Sequence, residues 1–261
     1  MKKIPVVMSM LFLAALSVDV SAIGNIGTPT AELKAGQWSV GGDYSYSDIG
    51  LDTSKMKYTD TSGGGSSGKI PFKLSDVKTN FYYVTLGYGL TGNWEVYGRL
   101  GIADLKCKAH WPDSEGLNFD NDLVWGVGTR YTFYQQDKVR WGATANMNWI
   151  DTSLEWKEYG GKEKNDLSAY DLLVAVGPTV DMGGWKLYGG PFFYMFNGDF
   201  DNKGTYPTYV WKGTADVEED SSFGGYVGAA IQLAEKVDVT FEAAAISDGW
   251  SAGAGVIVRF R

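Results

Sequence analysis

From about residue 36 onward, apolar and polar side chains alternate with a period of two. In Trp94 to Ile102, the apolar residues Trp94, Val96, Leu100 and Ile102 share one parity, and Glu95, Tyr97, Arg99 and Gly101 share the other. Successive side chains of a strand point to opposite faces, so this run predicts a strand with one apolar face. Helical spacing fits it poorly. The same reading applies to about ten runs, opening near Trp38, Tyr82, Trp94, Leu123, Val139, Tyr170, Trp185, Phe223, Val237 and Trp250. Each run covers about 9–13 residues, longer than the ~5–6 of a common strand and matched to the ~9–11 that cross a bilayer at a tilt.

The connectors predict an alternation of their own. Thr91-Gly92-Asn93, Gln135 to Lys138, Met182-Gly183-Gly184 and Ala234-Glu235-Lys236 are short. Between them lie long polar stretches at about 49–77, 107–121, 155–166 and 198–221. The first carries a Gly/Ser run, Ser62 to Gly68, of the flexible kind, and has room for a further hairpin around Lys69 to Leu74. The last connector, Ser247-Asp248-Gly249, is short where the alternation calls for a long one. Short turns on one side and long loops on the other are what a hairpin barrel in an outer membrane displays.

The chain opens differently. Met1-Lys2-Lys3 is cationic, Ile4 to Leu16 is apolar, and Val20-Ser21-Ala22 offers small or modest residues before a cut after Ala22. This is the three-part pattern of a secretory signal. The expected organisation is therefore a cleaved leader, 1–22, and one domain, 23–261.

Composition narrows the class. The 261 residues include 35 Gly, about 13%, against ~7% in ordinary domains. Beyond the leader no apolar run reaches the ~18 residues of a membrane helix, and the aromatic content of 15% excludes a disordered chain. One Cys excludes an internal disulfide and thiolate-rich metal sites. The net charge of −8 argues against nucleic acid as a partner.

On these features the chain resembles bacterial outer-membrane β-barrel proteins, from about Gly36 to Arg261. The sharpest local likeness is the last strand. In that family it carries an assembly signal read by the barrel-assembly machinery, and Ser251, Gly253, Val256, Val258 and the aromatic Phe260 stand at its positions. Arg261 departs from the family, whose members close on the aromatic itself. The resemblance implies an all-β fold, a transmembrane antiparallel up-and-down barrel of about ten strands (eight to twelve), in the outer membrane. Lipid and lipopolysaccharide surround such a barrel, and an even strand count leaves both termini in the periplasm. Trp38, Trp94, Trp141 and Trp185 fall near the short turns, and Trp125, Trp149 and Trp250 toward the other rim. Aromatic girdles are expected there, where an apolar wall meets headgroups.

With the apolar face on lipid, the other face lines the lumen. Its ionisable members are Asp43, Glu95, Arg99, Arg130, Arg140, Asp171, Asp181, Lys186, Asp238, Glu242 and Arg259. The near balance of sign predicts ion pairs, with Glu95–Arg99 and Arg140–Asp238 the nearest by sequence and turn placement. A one-signed ring would have indicated ion selectivity. Inward glycines leave room for Tyr83, Tyr97, Tyr188, Tyr194 and Tyr226, and about ten strands lie near the side-chain-filled end of the barrel range.

Candidate chemistry is sparse. The one His, His110, lies in the second long connector beside Asp113 and Glu115, with no nucleophile motif attached. Cys107 is a candidate free thiol that packs at a strand end. The acidic stretch Asp216 to Asp220 lacks EF-hand spacing and reads as a hydrated loop. No cofactor, no catalytic residue and no enzymatic activity are expected. The leading expectation is a structural or surface-interaction barrel whose lumen is filled by paired charges and Tyr, with an external partner for its long loops. A narrow porin-like channel for ions or small solutes is the alternative, and a hydrolase at the rim using His110 a distant one.

Overall fold

The computed structural model describes residues 24–49, 52–61, 65–111, 113–158, 160–247 and 249–260. The expected leader, 1–22, lies outside them. After an arm, 24–37, thirteen strands follow: β1 (Trp38–Ile49), β2 (Asp52–Thr53), β3 (Met56–Asp60), β4 (Ser66–Ile70), β5 (Lys73–Gly89), β6 (Trp94–Trp111), β7 (Asp113–Gln136), β8 (Val139–Glu158), β9 (Gly161–Asp181), β10 (Trp185–Thr205), β11 (Val210–Ala234), β12 (Val237–Ile246) and β13 (Gly249–Phe260).

Ten of these close into one wall, in the order β1-β5-β6-β7-β8-β9-β10-β11-β12-β13 and back to β1. Each pairing is antiparallel. The seam runs in unbroken register from Trp38↔Phe260 to Ile49↔Gly249. Closure pairs every strand on both sides at the level of this seam, which is the condition for placing strands in hydrocarbon, where backbone groups have no water to bond.

The alternation turns the expected way in the half of the wall beside the short turns. Outward Trp94, Leu100, Leu123, Phe133 and Phe241 are 44–59% exposed, while inward Glu95, Tyr97 and Arg99 are buried. Tightly packed aromatics mark both edges of the apolar belt: Trp38 on Tyr88 at the turn side (4.6 Å between centroids), Trp125 on Trp149 at the other (4.2 Å). Trp94, Trp141 and Trp185 lie on the turn side with Trp38, and Trp250 meets Tyr46 at the far edge.

The stretches expected to be long loops are mostly wall. Strands β7 to β11 run 20–25 residues, about 65–80 Å at ~3.3 Å per residue and twice what a bilayer needs. The segments 107–121, 155–166 and 198–221 are continuous strand on either side of tight turns. Their alternation persists with inverted polarity. On β6, Ala103, Leu105 and Cys107 are buried inside, while Asp104, Lys106 and Lys108 point out. On β11, Ala215 and Val217 are inside, and Lys212, Asp216 and Glu218 are outside. The outer half is thus organised like a soluble barrel, with an apolar interior and a polar exterior. Leu74, Leu105, Leu117, Phe119, Leu167, Phe200 and Val217 form its core, and Phe72 stacks on Phe200 at 5.1 Å.

The extension is lopsided, because β1, β12 and β13 have bilayer length only, at 12, 10 and 12 residues. The first connector compensates. Its β3–β4 hairpin, at 56–70, pairs with the outer part of β11 from Trp211↔Asp60 to Thr214↔Lys57, and fully buried Met56 closes the core there. On the opposite side, β7 and β8 pair only from Val124↔Ile150 toward the short turns. Above that level the two strands are joined by a side-chain bond that Thr152 donates to Asp122.

Candidate functional site

The arm, 24–37, is not part of the wall. It lies inside the barrel, in the half that carries the apolar belt, with Ile26, Thr30, Ala31 and Leu33 buried. An irregular segment inside a barrel needs partners for its backbone, and the wall supplies them from charged side chains. Glu242 of β12 accepts from the Ile26 N–H (2.6 Å) and the Gly27 N–H (2.8 Å). Glu95 of β6 accepts from the N–H groups of Glu32 (2.8 Å) and Leu33 (3.0 Å). Thr132 Oγ1 accepts from Ala31 N–H at 2.9 Å. In the other direction Arg99 donates to the Asn25 carbonyl at 2.7 Å, and Arg140 to the Ala31 carbonyl at 2.6 Å. The arm returns one carboxylate, Glu32, which bridges Arg140 of β8 and Lys186 of β10. Burial works against ionising Glu32, but the two cations outweigh it and hold its carboxyl below the ordinary 4.5.

Register explains which charges meet. Glu95 pairs with Arg130 at 2.7 Å, not with Arg99. Glu95 and Arg130 are directly opposed across β6 and β7, where side chains lie ~5 Å apart, while Arg99 sits four residues, about 13 Å, up the strand. Asp238 pairs with Arg259 of the neighbouring strand β13, not with Arg140, and Arg140 turns to the arm. Arg99 stacks its guanidinium over Tyr83 and Tyr97, at 5.4 and 5.5 Å from the ring centres. Asp43 accepts long bonds from Asn25 and Thr85 at 3.5 and 3.4 Å, and Asp171 accepts from Asn148 at 2.8 Å. Asp181 stands at the mouth, exposed, where it accepts from the Gly183 N–H of the short turn at 2.8 Å.

The five inward tyrosines are buried at 2–6% exposure. Glycine makes that possible: a Cβ on Gly128 would collide with the Tyr97 ring, and one on Gly228 with the Tyr188 ring. Between the arm and the glycine-lined wall of β1, β5 and β13 remains a polar cavity of about 70 Å³, lined by Gly41, Gly87, Gly255, Asp43, Arg99 and Arg130 among others. That is room for a few waters. Above it the apolar core of the outer half begins.

No protein-family model matches the chain, and no curated protein does. Solved structures do. The outer membrane protein OprG of Pseudomonas aeruginosa aligns with TM-score 0.50 at 13% identity, over 87% of this chain and 97% of that one. The outer membrane protease OmpT of Escherichia coli aligns with TM-score 0.51 at 11% identity, over 85% and 97%. The fold is that of a bacterial outer-membrane β-barrel. This barrel sits in the outer membrane by its apolar belt, and identities this low carry the architecture alone.

Sequence reasoning placed the charged residues of the outer-membrane barrel on one face but missed what they hold. The arm has no periodicity, so only its position between leader and first strand, with the lone Glu32, offered a signal. On β13, Ser251 is buried and Gly253 faces Asn25 of the arm, whereas Val256, Val258 and Phe260 point outward at 40–44% exposure. Cys107 lies inside the outer half, where burial pushes its thiol up to about 12, the behaviour of an unreactive packing cysteine. His110 lies on the outer wall of β6.

Proposed function

We propose that this protein is a closed surface barrel, in which the membrane-embedded half anchors and the outer half presents a rigid, water-facing wall to external partners. One observation carries the reading: the lumen is occupied in two different ways along its length, by the ion-paired arm in the embedded half and by a packed apolar core in the outer half. Water-filled conduction needs a continuous polar path, and an apolar constriction excludes water and ions. The exterior of the outer half carries Lys106, Lys108, Lys164, Asp199, Asp201, Asp216 and Glu218, a surface of mixed sign suited to contacts with polar partners.

The polar cavity beside the arm supports a second reading, a narrow channel that conducts when the arm shifts. Planar-bilayer recording separates the two. The closed barrel gives no stable steps as the full chain, and none when residues 24–37 are deleted, because the apolar core still closes the outer half; steps from the deletion would favour the channel. A stable open current from the intact protein would favour the channel.

A further inference from the structure

The sequence offers His110 as a base without a nucleophile, and the fold brings one to it. Across β5 and β6, Lys73 opposes His110 and Ser75 opposes Lys108, so Ser75 and His110 are diagonal neighbours on the outward face. Ser75 Oγ lies 2.7 Å from His110 Nε2, the separation of an activated hydroxyl and its base. The backbone is special at this point. The β5–β6 register shifts between Ser75 and Lys78, and Asp76 stands at φ +51°, in the left-handed region that a residue with a side chain seldom occupies. Bulges of this kind re-aim side chains beside reactive sites, and strain held in a backbone points toward function. Lys108 adds a cation, its Nζ 2.7 Å from the Asp76 carboxylate.

We propose that Ser75 and His110 form a hydrolytic pair for carboxylic esters outside the cell, with the Lys108 ammonium receiving the negative oxygen. His110 Nε2, with its ring proton on Nδ1, takes the hydroxyl proton as Ser75 Oγ bonds to the carbonyl carbon. The carbonyl oxygen becomes the oxyanion beside Lys108. The carbon–oxygen bond of the ester then breaks, and His110 returns the proton to the leaving alkoxide, which departs as the alcohol. Water, deprotonated by His110, attacks the acyl-serine in the same way, and the carboxylic acid and free Ser75 result. No metal, oxidant or second substrate besides water enters the balance.

The place on the wall sets the substrate. The last lipid-facing residue of β6 is Ile102, and His110 lies eight residues further, about 26 Å along the strand. The pair stands clear of the bilayer, so it meets esters on water-exposed molecules, not the acyl esters of membrane lipids. It lies on an open wall and selects for unhindered acyl groups. None of this depends on whether the lumen conducts.

The test uses the full chain folded in detergent micelles, with barrel closure checked by heat-modifiable gel mobility. A fluorophosphonate probe should give one adduct, on the peptide that contains Ser75, and p-nitrophenyl acetate should be turned over. Ser75→Ala should abolish the adduct. His110→Gln, which keeps a hydrogen-bonding side chain but no base, should slow labelling and turnover about 100-fold, the low end of what a positioned acid–base group contributes. Both substitutions lie outside the apolar belt and leave the gel shift intact. The proposal is overturned if folded wild-type protein takes no adduct, if Ser75→Ala is labelled as before, or if His110→Gln reacts at the wild-type rate.

Discussion

Replacing Glu32 by Gln removes the charge with which the arm holds the barrel while keeping its shape. Arg140 and Lys186 are then left facing one another in the lumen with no anion between them. Breaking a buried ion pair by removing one partner costs about 3–5 kcal/mol. Glu32, Arg140 and Lys186 keep 12%, 21% and 22% of their side chains exposed, and Gln retains one acceptor oxygen, so the expected loss is at the low end, about 3 kcal/mol. At ~1.4 kcal/mol per factor of ten, the docked arm is weakened roughly 150-fold. Hydrogen exchange reads this directly, because the amides of Ile26, Gly27, Ala31, Glu32 and Leu33 are protected by bonds that exist only while the arm is docked. Protection across peptides covering 24–37 should fall by about that factor, with the strands unchanged. Glu155→Gln, which breaks an exposed pair with Lys162, is the control and should cost under ~1 kcal/mol. Unchanged arm protection in Glu32→Gln would refute the ionic anchoring of the arm, and so would a loss spread evenly over the wall.

Other predictions follow from the same geometry. Because Glu32 titrates below its ordinary 4.5 when docked, its contribution is complete above that value and is lost as pH falls through the lower docked value; arm protection, corrected for intrinsic exchange, should be flat near neutrality and decline under acid. Gly128→Val drives a side chain into the Tyr97 ring and should cost about 1–3 kcal/mol in the urea midpoint of refolding into vesicles. Phe119→Ala empties part of the outer core, where Phe119 is 1% exposed, and should loosen that half by about 3–5 kcal/mol, read as faster proteolysis of the extension while membrane insertion persists. Val84→Lys, on the lipid face at 61% exposure, should destabilise insertion by about 2–4 kcal/mol, measured by the same vesicle assay.

The embedded half was legible because lipid forces one apolar face on every strand, and the period of two follows directly. Trp94 to Ile102 shows this with no help from structure. The outer half was hidden by the same rule. Once the wall leaves the bilayer its exterior turns polar, and Lys108, Lys164, Asp199 and Asp201 read as loop residues although Ala103, Leu105 and Cys107 keep the alternation going on the inner face. A change of which parity is apolar, not a loss of parity, was the available signal. Pairing of lumen charges was not legible, since Glu95 meets Arg130 through a register that spans 35 residues of chain. Nor was the arm, whose backbone bonds to wall carboxylates carry no periodic trace. Ser75 came to His110 through a bulge that leaves no mark in the local pattern.

The point at which the wall leaves lipid can be measured along one strand. Nitroxide labels placed singly at the outward positions of β6, residues 94, 96, 100, 102, 104, 106 and 108, report collisions with oxygen in lipid and with a nickel chelate in water. Labels up to Ile102 should favour oxygen, and those from Asp104 onward the chelate. Labels at 104–108 that favour oxygen, or labels at 96–102 that favour the chelate, would contradict a barrel that is apolar outward in the membrane and inverted above it.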